Sequence, residues 1–134
     1  MAIMHEWADP TQQNYVIHIE APWTWDEYQS NVDSTVSDIQ TVTHPVALII
    51  DLMRSGTFPK GDILGHFRYL ESHMPSNVFA SIPVGAPMMM TSFVKVYTQI
   101  RPNVRRRVHF ASSIVEAQAL AQKQLDEIRS NTAN

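Results

Sequence analysis

The chain of 134 residues has no cysteine, which excludes a disulfide scaffold, a thiol nucleophile and a thiolate metal site together. Glycine is also scarce, with four in all, and no Walker loop, dinucleotide fingerprint or nucleophile elbow is present. No apolar run approaches the roughly 20 residues needed to span a bilayer, so membrane insertion is not expected. The basic excess typical of nucleic-acid binders is absent too: 10 Lys and Arg stand against 13 Asp and Glu, a net charge of -3. The opening "MAIMHEWADP" lacks the basic head and apolar stretch of a secretory signal, which makes the cytoplasm the expected compartment. What remains is a chain 44% hydrophobic and 17% charged, the composition of one globular domain able to bury a core without metal or disulfides.

Hydrophobic periodicity divides that domain into alternating elements. Residues 3 to 7 and 14 to 21 predict an antiparallel hairpin, with Tyr15, Ile17 and Ile19 on one face and Asp9-Pro10 in the turn. Thr24 and Glu27 have capping-box spacing, and Trp25, Tyr28, Val32, Val36 and Ile39 follow at helical intervals, predicting a helix over 25 to 41. "VALIIDL" after His44-Pro45 is apolar on both faces and suits a central, doubly covered strand. Ile63, Leu64, Phe67, Leu70 and Met74 line a second helix ended by Pro75, and "NVFASIPVG" is a further strand. A third helix is expected to bury Met89, Met90, Phe93, Tyr97 and Ile100 before Pro102 stops it. "RRVHFA" predicts a short fifth strand at an edge, with Val108 and Phe110 inward and Arg107 and His109 outward. A final helix starts at a Ser113/Glu116 capping box, with Ile114, Ala117, Leu120, Ala121, Leu125 and Ile128 on its core side and a frayed tail "RSNTAN". The fold class is therefore α/β: a mixed, mostly parallel five-stranded sheet with an N-terminal antiparallel hairpin and four main helices in one domain.

Side chains that could carry chemistry are few. His66 and His73 are seven residues apart, two helical turns and roughly 10 Å, too far to share one ion, so no metal site is expected. Arg101, Arg105, Arg106 and Arg107 form a basic cluster read as a solvated surface, with an anion or acidic-partner patch as the sharper alternative. In an open α/β sheet, the carboxyl ends of the strands and the adjacent helix starts form the usual ligand edge. Asp51, Arg54, Ser55, Thr57, Lys60 and the Gly85 turn belong to it, and Met88 and Met89 could add an adaptable apolar lining while two of Met88, Met89 and Met90 sit in the core. Trp23 is expected to staple the start of the first helix, with contact to a partner as the alternative. Asp51 beside Arg54 is too little for acid-base catalysis, so neither enzymatic activity nor a cofactor is expected.

A strand ending in Asp51-Leu52, the loop with Thr57-Phe58-Pro59, the "SIPVG" strand with its apolar helix, and the "RRVHFASSIVEAQALA" ending resemble the STAS-like proteins. These are related to the bacterial anti-sigma-factor antagonists and include a "STAS/SEC14-like" group of small bacterial proteins. The likeness covers roughly residues 14 to 128 and implies a STAS-like domain that regulates a protein partner. By that likeness the partner surface is the loop after the central strand and the start of the second helix: Arg54, Ser55, Thr57, Phe58, Lys60 and Asp62. The family's phosphorylatable serine falls at Gly61 or Asp62, so the phospho-switch is not expected, although Ser55 and Thr57 lie nearby. Asp62 reads first as a helix cap. The lipid-carrier half of the family label implies the alternative function, carriage of a small lipid-like or other apolar ligand near Asp51, Gly85, Met88 and Met89. A homodimer is left open.

Overall fold

The computed structural model describes residues 2–133. Strand β3 (Val46–Arg54) is its centre: Val46, Leu48, Ile50 and Leu52 are buried on one side, and Ala47 and Ile49 on the other. A strand covered on both faces needs the unbroken apolar run seen in its sequence. With β1 (Ile3–Trp7), β2 (Asn14–Glu20) and β4 (Val78–Val84) it forms a four-stranded sheet in the order β1-β2-β3-β4. β1 and β2 pair antiparallel, whereas β2–β3 and β3–β4 are parallel. In the hairpin turn the Asp9 carboxylate accepts the backbone N–H of Asn14 at 2.9 Å, the local bonding that suits aspartate to turns.

One face of the sheet carries α1 (Trp25–Ile39), α2 (Ile63–His73) and α3 (Met88–Ile100). The caps expected from the sequence are in place. Thr24 Oγ1 accepts the Glu27 N–H at 3.1 Å, and Ser113 Oγ accepts that of Glu116 at 3.1 Å. Trp23 is buried, with its ring 6.3 Å from that of Tyr28, four positions inside the helix, as in a hydrophobic staple. The opposite face is covered by α5 (Ile114–Ala133), whose Ala117 and Ala121 pack on β3 and β4 and whose Leu125 is also buried. Met4 on β1 and Met53 on β3 remain more than half exposed, so part of that face is open.

Several expectations are corrected. "RRVHFA" is not a regular fifth strand: Pro102–Arg107 forms a short helix, α4, with Pro102 in its first turn, where a missing N–H costs nothing. Only isolated parallel bridges, Val108 with Ser81 and Ala111 with Val84, follow β4 along its outer edge. Arg107 is accordingly helical, and it reaches inward to Glu71 rather than outward. In α3 the buried residues are Met90 and Val94, while Met89, Phe93 and Ile100 are exposed. Of the three consecutive methionines only Met90 is core. In α5, Ile128 is 40% exposed, and the helix runs on to Ala133 instead of fraying from Arg129, with Asn134 outside the described residues.

Candidate functional site at the carboxyl edge of the sheet

The loop leaving β3 is held from beneath by two indoles. Trp23 Nε1 donates to the Ser55 carbonyl at 2.8 Å, and Trp25 Nε1 lies 3.1 Å from both the Pro59 and Lys60 carbonyls. Phe58 packs edge-on against Trp23 with ring centroids 5.2 Å apart, and His66 stacks flat on Trp25 at 4.0 Å. Gly56 and Gly61 take positive φ values of 62° and 147°. At Gly61 a Cβ would stand 2.9 Å from Trp25 Nε1, so glycine is what lets the indole reach the loop carbonyls.

The candidate partner residues divide between those that face solvent and those that shape the loop. Arg54, Thr57, Lys60 and Asp62 are exposed, and Phe58 is half-buried in the aromatic cluster. Ser55 is 1% exposed and donates its hydroxyl to the Leu52 carbonyl at 2.8 Å, so it presents no side chain to a partner. Asp62 caps α2: its Oδ1 accepts the Gly65 N–H at 2.9 Å, and the close approach of Oδ2 leaves no room for a Cβ on Gly65.

The candidate ligand residues do not converge on one cavity. Met88 is 85% and Met89 51% exposed, both outside the core. Gly85 makes its turn at φ 67° directly against Met53, while Asp51 faces the open side of the sheet. There a pair that the sequence reading missed appears. His18 on β2 is the cross-strand neighbour of Asp51, with Nδ1 2.8 Å from Asp51 Oδ2 and Nε2 3.5 Å from Glu6 Oε1. They border an open depression of about 340 Å³ that also includes Met4, Met53 and Arg54. The two carboxylates hold opposite edges of the imidazole, so they do not converge on a common ion, and the lining carries no hydroxyl nucleophile. Period-2 alternation puts His18 on the face opposite Tyr15, Ile17 and Ile19, but only strand register pairs it with Asp51.

A second polar cluster lies between α2 and α4. Glu71 is 6% exposed, and Arg107 Nη2 donates to its Oε2 at 3.2 Å. Arg107 Nε is buried without a hydrogen-bond partner among the described residues, and the buried Ser81 hydroxyl lies beside the Glu71 carboxylate. Burial pushes the Glu71 carboxyl above its ordinary range, against the opposing pull of Arg107. The Tyr28 phenol is likewise held up by its burial and by the Glu71 charge. Arg101 and Arg107 border the same cleft, of about 270 Å³, with Tyr97 and Asn103.

Beneath the loop, the apolar space bounded by Trp23, Tyr28, Phe58, Phe67, Leu70 and Met90 measures about 30 Å³. Among the described residues no helix is long and apolar enough to cross a membrane. Comparison of the chain with protein-family models, with curated proteins and with solved structures finds no match.

Proposed function

We propose that this chain is a non-enzymatic protein-interaction module of the STAS-like kind, acting in the cytoplasm through the loop after β3 and the start of α2. The observation that carries the reading is the double indole clamp on the loop carbonyls of Ser55, Pro59 and Lys60. A loop held in this way keeps Arg54, Thr57, Lys60 and Asp62 in fixed relative positions, so little conformational entropy is lost when a partner docks. The mixed sheet with its N-terminal hairpin supports the STAS-like assignment. The capping role of Asp62 and the burial of Ser55 support a surface that works without a serine phospho-switch. For the alternative, carriage of a lipid-like ligand, the apolar space beneath the loop measures only about 30 Å³ against the roughly 300–1,000 Å³ of ordinary ligand pockets, and the depression of about 340 Å³ beside Asp51 is lined by His18, Glu20, Asp51 and Arg54, charged groups unsuited to an apolar chain, so partner recognition is the reading we favour.

The test is crosslinking capture in cell extract with the wild-type chain and with Thr57→Arg/Lys60→Glu, two exposed positions whose side chains make none of the loop's clamping bonds. A partner captured by the wild type and lost by the double variant supports the loop. Equal capture by both removes the loop from the interface.

A further inference from the structure

The open cleft between α2 and α4, of about 270 Å³, is lined by Glu71 from α2, by Tyr97 from the last turn of α3, and by Arg101, Asn103, Val104 and Arg107 along the turn into α4 and α4 itself. Two arginines reach it because each is held from a different direction. The Arg101 N–H donates to the Tyr97 carbonyl at 3.1 Å, and the Arg101 carbonyl accepts the N–H groups of Val104 and Arg105, each at 3.1 Å. Its backbone is thus fixed by the last turn of α3 and the first of α4 together. Arg107 is fixed by its side chain, with Nη2 donating to Glu71 Oε2 at 3.2 Å.

The cleft is rich in donors. A guanidinium has five N–H groups and no acceptor; the Glu71 bond takes one from Arg107, whose Nε is buried without a partner among the described residues. The Arg101 guanidinium, the Tyr97 hydroxyl and the Asn103 amide make no side-chain hydrogen bond among the described residues. Charge decides which acceptor suits such a site. Glu71 is the one carboxylate among the described residues of the lining, and the chain has no other before Glu116. Arg107 offsets Glu71, which leaves Arg101 as a single positive charge in excess inside a molecule of net charge -3.

We propose that this cleft binds a small organic carboxylate, with Arg101 and Arg107 on its two oxygens, Tyr97 and Asn103 as neutral donors, and Glu71 positioning the Arg107 guanidinium. Planar guanidinium groups match the planar carboxylate in shape, and one negative charge matches the one excess cation. A phosphate monoester, at roughly -1.5 to -2 near neutral pH, would bring surplus negative charge against the buried Glu71 carboxylate. The apolar body of the acid would lie against Val104 and the Tyr97 ring, which line the same space. At about 270 Å³ the cleft falls just below the roughly 300–1,000 Å³ of pockets that take drug-sized molecules, so the acid is a small one.

None of the lining residues belongs to the loop after β3, so this site and the loop surface are tested apart. The isotopically labelled full chain is titrated by NMR at constant ionic strength with benzoate, acetate, inorganic phosphate and benzamide. Benzoate or acetate is expected to shift the side-chain N–H resonances of Arg101, Arg107 and Asn103 saturably, and benzamide, the shape of benzoate without its charge, to leave them in place. Arg101 has no side-chain partner to lose, and Arg101→Gln should weaken carboxylate binding at least about tenfold, as expected for one charge-assisted hydrogen bond. Arg106→Gln, exposed on α4 outside the lining, and Thr57→Arg/Lys60→Glu should leave the affinity unchanged. No saturable shift with either acid overturns the proposal, as does an equal loss in Arg106→Gln, which would show a diffuse basic surface. Phosphate bound more tightly than either acid with the same dependence on Arg101 overturns the ligand class. Binding of acetyl-dialanine with a free carboxyl terminus, in the absence of binding by either acid, would assign the cleft to the end of a protein chain and overturn the free-acid reading.

Discussion

Arg107 Nη2 lies 3.2 Å from Glu71 Oε2 and ties α4 to α2 through a carboxylate whose side chain is 2% exposed. The pair joins two elements that the sequence places 36 residues apart. Removing the cation alone leaves a buried charge uncompensated. Arg107→Leu is therefore expected to destabilise the fold by roughly 2–4 kcal/mol at neutral pH, and Glu71→Gln in the same chain should restore part of the loss. Urea denaturation of the four members of the cycle measures the coupling; additive losses would show that the pair contributes nothing.

The same carboxylate makes stability depend on pH. Burial raises the Glu71 pKa in the folded state above its ordinary 4.5, so between the two values the folded chain binds the extra proton. Stability from this group is then fully present below the unfolded pKa and is lost as pH rises through the folded one. Relative to Glu71→Gln, the wild type should gain stability as pH falls towards about 4.5. Parallel urea midpoints of the two proteins across that range would refute the assignment.

The two indoles differ in what their loss leaves behind. Trp23→Phe strands the Ser55 carbonyl next to a buried ring and is expected to cost ~1–3 kcal/mol, whereas Trp25→Phe acts at carbonyls nearer solvent and should cost ~1 kcal/mol. Both substitutions should speed amide hydrogen exchange in the segment 55–62 more than in β3. Uniform changes in exchange would mean that the indoles stabilise the core and not the loop.

At Gly61 an added methyl group meets both an unfavourable backbone conformation and the Trp25 indole. Gly61→Ala is expected to lose ~1–3 kcal/mol and to shift the tryptophan emission of the clamp. Asp62→Ala removes the α2 cap for ~1 kcal/mol, while Asp62→Asn, an equally good cap, should leave the melting temperature nearly unchanged. If Asn were as damaging as Ala, the charge of Asp62 and not its cap would be the relevant property.

Phosphorylation separates the two hydroxyls of the loop. Thr57 is exposed and Ser55 is buried on the Leu52 carbonyl, so a serine/threonine kinase acting on the native chain should modify Thr57 and spare Ser55. Phosphopeptide mapping decides this. Stoichiometric modification of Ser55 in the folded protein would require the loop to open.

Much of the fold was legible in the sequence because local rules and burial agree there. The double-faced apolar run of β3, the alternation in β2 and the caps at Thr24, Asp62 and Ser113 each have a single favourable reading. In α3 they do not agree. "MMMTSFVKVYTQI" is apolar on several sides, so the stripes Met89-Phe93 and Met90-Val94 have the same helical spacing, and only packing against the sheet and α2 selects which one is buried. At residues 102–111 the β-branched and aromatic side chains of Val108 and Phe110 suggested a strand. Proline in a first turn, followed by the Arg107–Glu71 contact, turned the first half into α4 and left two bridges beside β4. The His18–Asp51 and Glu71–Arg107 pairs were invisible for a simpler reason. Each joins residues more than thirty positions apart, and sequence carries periodicity within an element, whereas the register between strands and the seating of one helix on another arise only when the core closes around them.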